Sequence, residues 1–185
     1  QQGKVIEAAT QRKGELLHIE YRGERNSLQF KITSRGLIGL SNVVLTMTAG
    51  EAIMAHRFEG FEPWKGDIAG RRTGSMVSLE TGPAIAYAIF KLQDRGTFFV
   101  NPGDEIYKGQ VVGENARPKD IVVNICKTKK LTNMRASGSD EKVQNAPPRK
   151  FSLEQYMEYL NETEYLEVTP KHLRLRKINM NVSAN

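Results

Sequence analysis

The chain has 185 residues and a mass of 20.8 kDa, which allows one large domain or two small ones. Its composition, with 39% hydrophobic and 26% charged residues, indicates a soluble globular protein and excludes a membrane-spanning helix of ~18 apolar residues. A single cysteine, Cys126, excludes an internal disulfide framework, and a net charge of +6 permits a polyanionic partner without requiring one.

The first 66 residues show the pattern of a small α/β unit. Apolar spacing predicts a helix over residues 3–13, with Gly14 as the residue that ends it. Alternating apolar residues on both sides of Gly23–Asn26 predict a β-hairpin. A second helix is expected from Ser34 to Met47, and a strand over residues 52–61. This order predicts a ferredoxin-like split β-α-β domain whose first strand is missing.

Residues 67–185 read as a second domain. Pro63–Gly66 marks the boundary, and a helix starting at Pro83 runs to Leu92. Ser152 is expected to cap a further helix. Short strands are predicted over residues 75–79, 97–100, 109–114, 121–126, 163–168 and 173–178. The fold class is therefore α+β: an incomplete ferredoxin-like domain, then a small β-barrel-like domain with short helices and a long basic loop.

Charge is unevenly distributed along the second domain. Residues 127–150 carry a net charge of +5, residues 151–169 carry −5, and the tail from Pro170 holds four basic residues and no acidic one. A basic loop and a basic tail on either side of an acidic helix form a patterned surface, although solvated charge without a partner is the simpler alternative.

The sequence holds no set of residues typical of catalysis. No G-x-x-x-x-G-K-[ST] motif is present, and Gly36 and Gly39 fit close helix packing better than phosphate binding. The three histidines are dispersed, which gives no metal-ligand spacing, and Cys126 lies in an apolar strand where a thiol is usually inert. The stretch Val100–Glu114 resembles a hairpin of lipoyl-type domains but lacks their lysine turn. We expect no cofactor, no metal and no enzymatic activity in these residues.

The strongest functional signal is the stretch 127–138, which interleaves four cations with hydroxyl and amide side chains. Cations neutralise phosphates, and hydroxyl and amide groups bind phosphate or 2′-hydroxyl oxygens. The stretch has no aromatic residue, so base stacking is not expected there. It predicts contact with the backbone and shape of RNA.

Several long stretches resemble the C-terminal part of the BipA/TypA family of translational GTPases, which are relatives of elongation factor G. These stretches are QRKGELLHIE, SRGLIGLSNVVLTMTAGEAIMAHRFEGFEPWKGDI, RRTGSMVSLETGPAIAYAIFKLQDRGTFFVNPGDEIYKGQVVGE and KTKKLTNMRASGSDE. The resemblance implies that residues 1–66 are most of a fifth, elongation factor G-like domain and residues 67–185 the family-specific C-terminal domain. It also implies that the chain, which opens with Gln1, is a fragment of a larger cytoplasmic and monomeric protein.

The family's C-terminal domain implies a role in binding ribosomal RNA and the A-site tRNA, with the loop at Lys129–Ser139 approaching the tRNA acceptor arm. GTP and Mg²⁺ would bind only the GTPase domain of the parent. The expected RNA-binding residues are Lys127, Lys129, Lys130, Thr132, Asn133, Met134, Arg135, Ser137, Lys142, Arg71, Arg72, Arg174 and Lys177.

Two functions are compatible with these residues. The first is a non-catalytic, ribosome-binding part of a GTPase that acts in translation, ribosome assembly and stress adaptation. The alternative is a protein-interaction module that docks another factor through the acidic helix Ser152–Glu167 and the basic tail, with RNA contact incidental.

Overall fold

The computed structural model describes residues 1–68, 70–128 and 144–183. The chain is of the mixed α+β class, as predicted, and it divides into two compact units, Gln1–Gly70 and Arg71–Asn185. Among the described residues, no helix has the length and apolar composition needed to cross a membrane.

The first unit contains three helices and one hairpin. Helix α1 (Gln2–Gln11) is followed by strands β1 (Glu15–Arg22) and β2 (Arg25–Lys31), which pair antiparallel as predicted. Two helices follow, α2 (Ser34–Leu37) and α3 (Leu40–Met47). Their apolar faces meet α1 in a small core around Ala8, Ala9, Leu40 and Val44.

The prediction of one helix from Ser34 to Met47 is wrong, because the helix is broken between α2 and α3. Gly39 adopts φ = 73°, a left-handed conformation that ends one helix and precedes the next. Thr33, rather than Ser34, caps the first piece by accepting a hydrogen bond from the backbone N–H of Gly36 at 3.2 Å. At the end of α1, Lys13 rather than Gly14 is left-handed, with φ = 61°.

The strand predicted over residues 52–61 is also wrong. These residues form no ladder with β2 or with any other described strand. Ala52 and Met54 nevertheless pack on the core of the first unit. The apolar pattern therefore reflects burial of alternate side chains, but a strand also needs a hydrogen-bonding partner, and no described strand pairs with this segment.

The second unit is built on one six-stranded sheet. Its strands are β3 (Ser75–Ser78), β5 (Gly96–Phe98), β7 (Gln110–Asn115), β8 (Ile121–Val123), β9 (Glu164–Val168) and β10 (Leu173–Lys177). The order is β8-β3-β7-β10-β9, with β5 also paired to β7. Only the β3–β8 pair is parallel. The basic tail from Pro170 thus contains an inner strand of this sheet, β10.

Two short elements and two helices complete the second unit. Strands β4 (Gly82–Pro83) and β6 (Glu105–Ile106) pair with each other, helix α4 spans Ala86–Leu92 and is followed by a 3₁₀ turn, Gln93–Arg95. Pro83 therefore lies in a strand rather than in the first turn of α4. The main core lies between α4 and the sheet, around Met76, Ile89, Val112 and Ile125.

Helix α5 (Leu153–Tyr159) begins as predicted, with a capping box in which Ser152 and Gln155 bond reciprocally. It ends well before Glu167, however, so the acidic segment is not a single helix. Glu164 and Glu167 lie on β9. A second core cluster joins α5 to the sheet through Tyr159, Val111 and Leu175.

Candidate nucleic-acid interface

Two residues that flank positions 129–143, Ile125 and Asn145, bond to adjacent residues at the start of α4. The backbone N–H of Ile85 donates to the carbonyl of Ile125 at 2.8 Å, and the Asn145 side chain donates to the carbonyl of Ala86 at 3.2 Å. The described residues before and after positions 129–143 are therefore anchored at neighbouring positions of the second unit.

Four residues after Asn145, Arg149 bonds to the sheet of the second unit. The backbone N–H of Arg149 donates to the carbonyl of Phe98 at 2.9 Å, and its guanidinium pairs with Glu114 at 2.5 Å. Asn145 and Arg149 were not predicted as functional residues. No motif in the sequence distinguishes them, because their role depends on long-range contacts with β5, β7 and α4.

Lys127 is exposed and follows the buried residue Ile125 by two positions. The other predicted loop residues lie outside the described part of the chain: Lys129, Lys130, Thr132, Asn133, Met134, Arg135, Ser137 and Lys142. Their RNA contacts stay predictions.

Arg71 occupies an internal site rather than the surface. Its guanidinium donates two hydrogen bonds to the Glu164 carboxylate, at 2.6 and 2.7 Å, and lies 4.0 Å from the centre of the Tyr159 ring. Further bonds go to the carbonyls of Thr73 and Tyr159 and to the Ser75 hydroxyl. With only 10% of the side chain exposed, Arg71 has no free donor direction for a phosphate. Its predicted RNA contact stays a prediction, which these internal bonds do not favour.

Lys177 meets Arg71 at the same carboxylate. Its Nζ donates to Glu164 at 2.9 Å and to the Thr163 hydroxyl at 2.8 Å, and it pairs with Asp120 at 2.5 Å. Its side chain is 9% exposed. Lys177 is therefore a counterion of the buried Glu164 and of the more exposed Asp120. Its predicted role in RNA binding stays a prediction, which these internal bonds do not favour.

Glu164 is the centre of this cluster, and its side chain is fully buried. Burial alone would raise the pKa of the carboxyl, but hydrogen bonds from Arg71, Ser75 and Lys177 lower it to about 2. The charge pattern of residues 151–169 predicted that Glu164 is part of an acidic surface. Its burial could have been predicted from its position in the alternating strand 163–168, where every second side chain faces the core.

The two remaining predicted residues differ in exposure. Arg72, next to Arg71, is exposed, whereas Arg174 on β10 is half-buried opposite Glu167. Its neighbour Arg176 pairs with Glu167 at 2.6 Å. Of the described residues predicted to bind RNA, Lys127 and Arg72 thus remain exposed cations.

Within residues 1–68, 70–128 and 144–183, no cluster of three histidine, cysteine or acidic side chains has the arrangement of a metal site. Cys126 is half-buried, and burial raises the pKa of its thiol. That shift favours the unreactive protonated form.

Two family models match the chain in tandem. The model described as elongation factor G C-terminus matches residues 1–72, and the model described as TypA/BipA C-terminal domain matches residues 73–182. Together they span nearly all of the chain.

Curated relatives agree with this match. The chain is 43% identical over 177 residues to a large ribosomal subunit assembly factor BipA from Synechocystis sp., covering 95% of the chain. Proteins of the same name are 44% identical in Bacillus subtilis, over 97% of the chain, and 43% identical in Salmonella typhimurium, over 95%. The chain spans only about 30% of the length of these relatives.

Proposed function

The chain belongs to the TypA/BipA family, and from this premise we propose that it is the ribosome-docking, non-catalytic C-terminal part of a translational GTPase. The observation that carries the proposal is the identity of 43–44% to proteins named as large ribosomal subunit assembly factors. The parent protein would act in the cytoplasm as a monomer, in translation, large-subunit assembly and stress adaptation. GTP and Mg²⁺ would bind in its GTPase domain.

The proposed mechanism is positioning. Residues 1–66 would correspond to the elongation factor G-like domain without its first strand, and residues 67–185 to the family-specific domain. Cations of the basic segment would neutralise phosphates of ribosomal RNA and of the A-site tRNA. The adjacent anchors at Ile85 and Ala86 support this role, because a segment held at both ends loses less conformational entropy when it docks than a free tail does.

Ribosome co-sedimentation over a salt series tests this proposal. We expect the variant Lys129→Ala, Lys130→Ala, Arg135→Ala to bind ribosomes more weakly at every salt concentration. The slope of log affinity against log salt should decrease by about 2, because each lost phosphate contact removes roughly 0.7–0.9 from it.

The matched control replaces three exposed lysines outside the segment, Lys4, Lys108 and Lys171, with alanine and so removes the same charge. It should lose much less affinity than the loop variant. Equal losses in the two variants would indicate a nonspecific charge effect, and unchanged sedimentation of the loop variant would refute the proposed role of the segment.

The alternative function, docking of another protein through the acidic segment and the basic tail, is favoured by two exposed apolar side chains on α5, Leu153 and Met157. Charge favours it less, because Glu164 and Lys177 bind each other and Glu167 binds Arg176. Competition with tRNA distinguishes the two functions: tRNA should displace an RNA-bound chain and spare a protein complex.

A further inference from the structure

A small cationic pocket lies in the first unit, and none of the residues that line it was predicted to bind RNA. Its volume is about 110 Å³. Three parts of the unit line it: Lys13 from the turn after α1, Thr33 and Arg35 at the start of α2, and residues 62–66 together with Ile68.

The charge of the pocket is positive. Its lining contains Lys13, Arg35 and Lys65 against one acidic residue, Glu62. The negative charge of Glu62 is already compensated, since the carboxylate pairs with Lys31 and, at 2.9 Å, with Lys65. Hydrogen bonds from Lys31 and Lys65 lower the pKa of Glu62 to about 2, so it stays ionised and holds both ammonium groups.

Lys13 and Arg35 are the two cations of the pocket that remain available. Both are exposed, and the ion pairs that the described residues form around the pocket involve Lys31 and Lys65 but neither of these two. Lys13 is held in place by an uncommon backbone conformation, φ = 61°, with its N–H bonded to the carbonyl of Thr10 at 3.0 Å. The pocket thus presents two positive charges from two fixed turns.

An aromatic surface adjoins these charges. Trp64 lines the pocket and is 70% exposed. Phe61, three residues earlier, is 98% exposed and contacts the ring of Phe58 edge to face. Exposed aromatic rings are costly in water, and next to cations they form the usual platform for unpaired nucleic-acid bases.

We propose that this pocket binds an unpaired RNA nucleotide, with its base stacked on Trp64 and its phosphate held by Lys13 and Arg35. The volume suits a phosphate group and part of a sugar, which leaves the base on the exposed indole face. An acidic peptide would use the two cations but would leave the indole without a partner, so the aromatic surface favours RNA. This proposal depends on the proposed function in one respect, which is the source of the RNA that the pocket binds.

The chain offers a direct measurement, because Trp64 is its only tryptophan. Titration with a single-stranded RNA oligomer of mixed sequence should quench the indole emission, since a stacked base contacts the ring itself. Inorganic polyphosphate, which has charge but no bases, should leave the emission nearly unchanged.

Two variants test the contacts. Lys13→Asn with Arg35→Gln removes both cations, and asparagine keeps the left-handed conformation at position 13. The salt dependence of quenching should lose about 0.7 in slope, because both cations hold the same phosphate and one phosphate contact is removed. Trp64→Ala, followed by the anisotropy of labelled RNA, should weaken binding about tenfold.

The matched control is Lys4→Gln with Arg25→Gln, which removes the same charge from exposed residues of the first unit that do not line this pocket. It should leave quenching by RNA almost intact. Absence of quenching, equal quenching by polyphosphate or polyglutamate, or equal effects of the two double variants would each overturn the proposal.

Ribosome co-sedimentation of the same proteins separates this proposal from the proposed function. Sedimentation without RNA-dependent quenching would refute the pocket and leave the ribosome proposal standing. Quenching by RNA in a chain that does not sediment with ribosomes would do the reverse.

Discussion

At the scale of single residues, the Glu164 carboxylate dominates the electrostatics of the second unit. It is fully buried and accepts hydrogen bonds from Arg71, Ser75 and Lys177. Two cations share this one carboxylate, and Asp120 supplies a second negative charge to Lys177. Removing the carboxylate would leave a buried positive charge without compensation, which is far more costly than losing a surface ion pair.

The stability of the second unit should therefore depend on acid pH through Glu164. Its pKa is about 2 in the folded chain against an ordinary value of 4.5. Because the folded pKa is the lower one, the stabilisation is present above about pH 4.5 and is lost as the pH falls towards about 2. We expect a loss of about 3 kcal/mol in the free energy of unfolding, measured by urea denaturation.

Glu164→Gln provides the comparison. At neutral pH it should be less stable by about 3–5 kcal/mol, and its stability should vary less over the same acid range. Glu162→Gln, an exposed acid two residues earlier, should change stability by no more than about 0.5 kcal/mol. A Glu164 variant as stable as the Glu162 variant would contradict the buried ion cluster.

At the scale of elements, the predicted structure is present where a local signal decides it. The hairpin follows from alternation around Gly23, and the start of α5 follows from the Ser152–Gln155 capping box. The prediction is wrong where long-range partners decide the structure. Residues 52–61 show the apolar pattern of a strand, but no pattern within them reveals whether a pairing strand lies beside them.

The break between α2 and α3 leads to a prediction about two glycines. Gly39 has φ = 73°, so Gly39→Ala should destabilise the first unit by about 1–2 kcal/mol. Gly3 lies within α1 with no atom near the position of an added Cβ, so Gly3→Ala should stabilise it by about 0.5–1 kcal/mol. Chemical denaturation of both variants measures the difference. Equal effects would contradict the left-handed helix junction.

At the scale of the whole molecule, the fold determines which basic residues of the candidate site are exposed, and composition alone does not predict this. Summed charge identified a basic segment at residues 127–150, but it could not distinguish exposed cations from internal ones. Arg71 and Lys177 are separated by more than a hundred positions in sequence and meet at Glu164. The pairing of β9 with β10 places Lys177 beside Glu164, and Arg71 reaches the same carboxylate from the residues before β3. No local pattern encodes that arrangement.

The boundary between the two units is the last feature with a measurable consequence. The TypA/BipA model begins at Thr73, whereas the compact unit begins at Arg71. The core clusters of this unit are formed by its own residues, so a fragment Gly70–Asn185 should unfold cooperatively. A fragment Thr73–Asn185 lacks Arg71 and should be less stable by about 3 kcal/mol, because the buried Glu164 then keeps only Lys177 as its cation.

Urea denaturation of both fragments measures this difference. The control is Arg72→Ala in the longer fragment, since Arg72 is exposed and its loss should be nearly neutral. Equal stability of the two fragments would show that Arg71 does not support the fold, and failure of the longer fragment to fold would show that this unit depends on the residues before it.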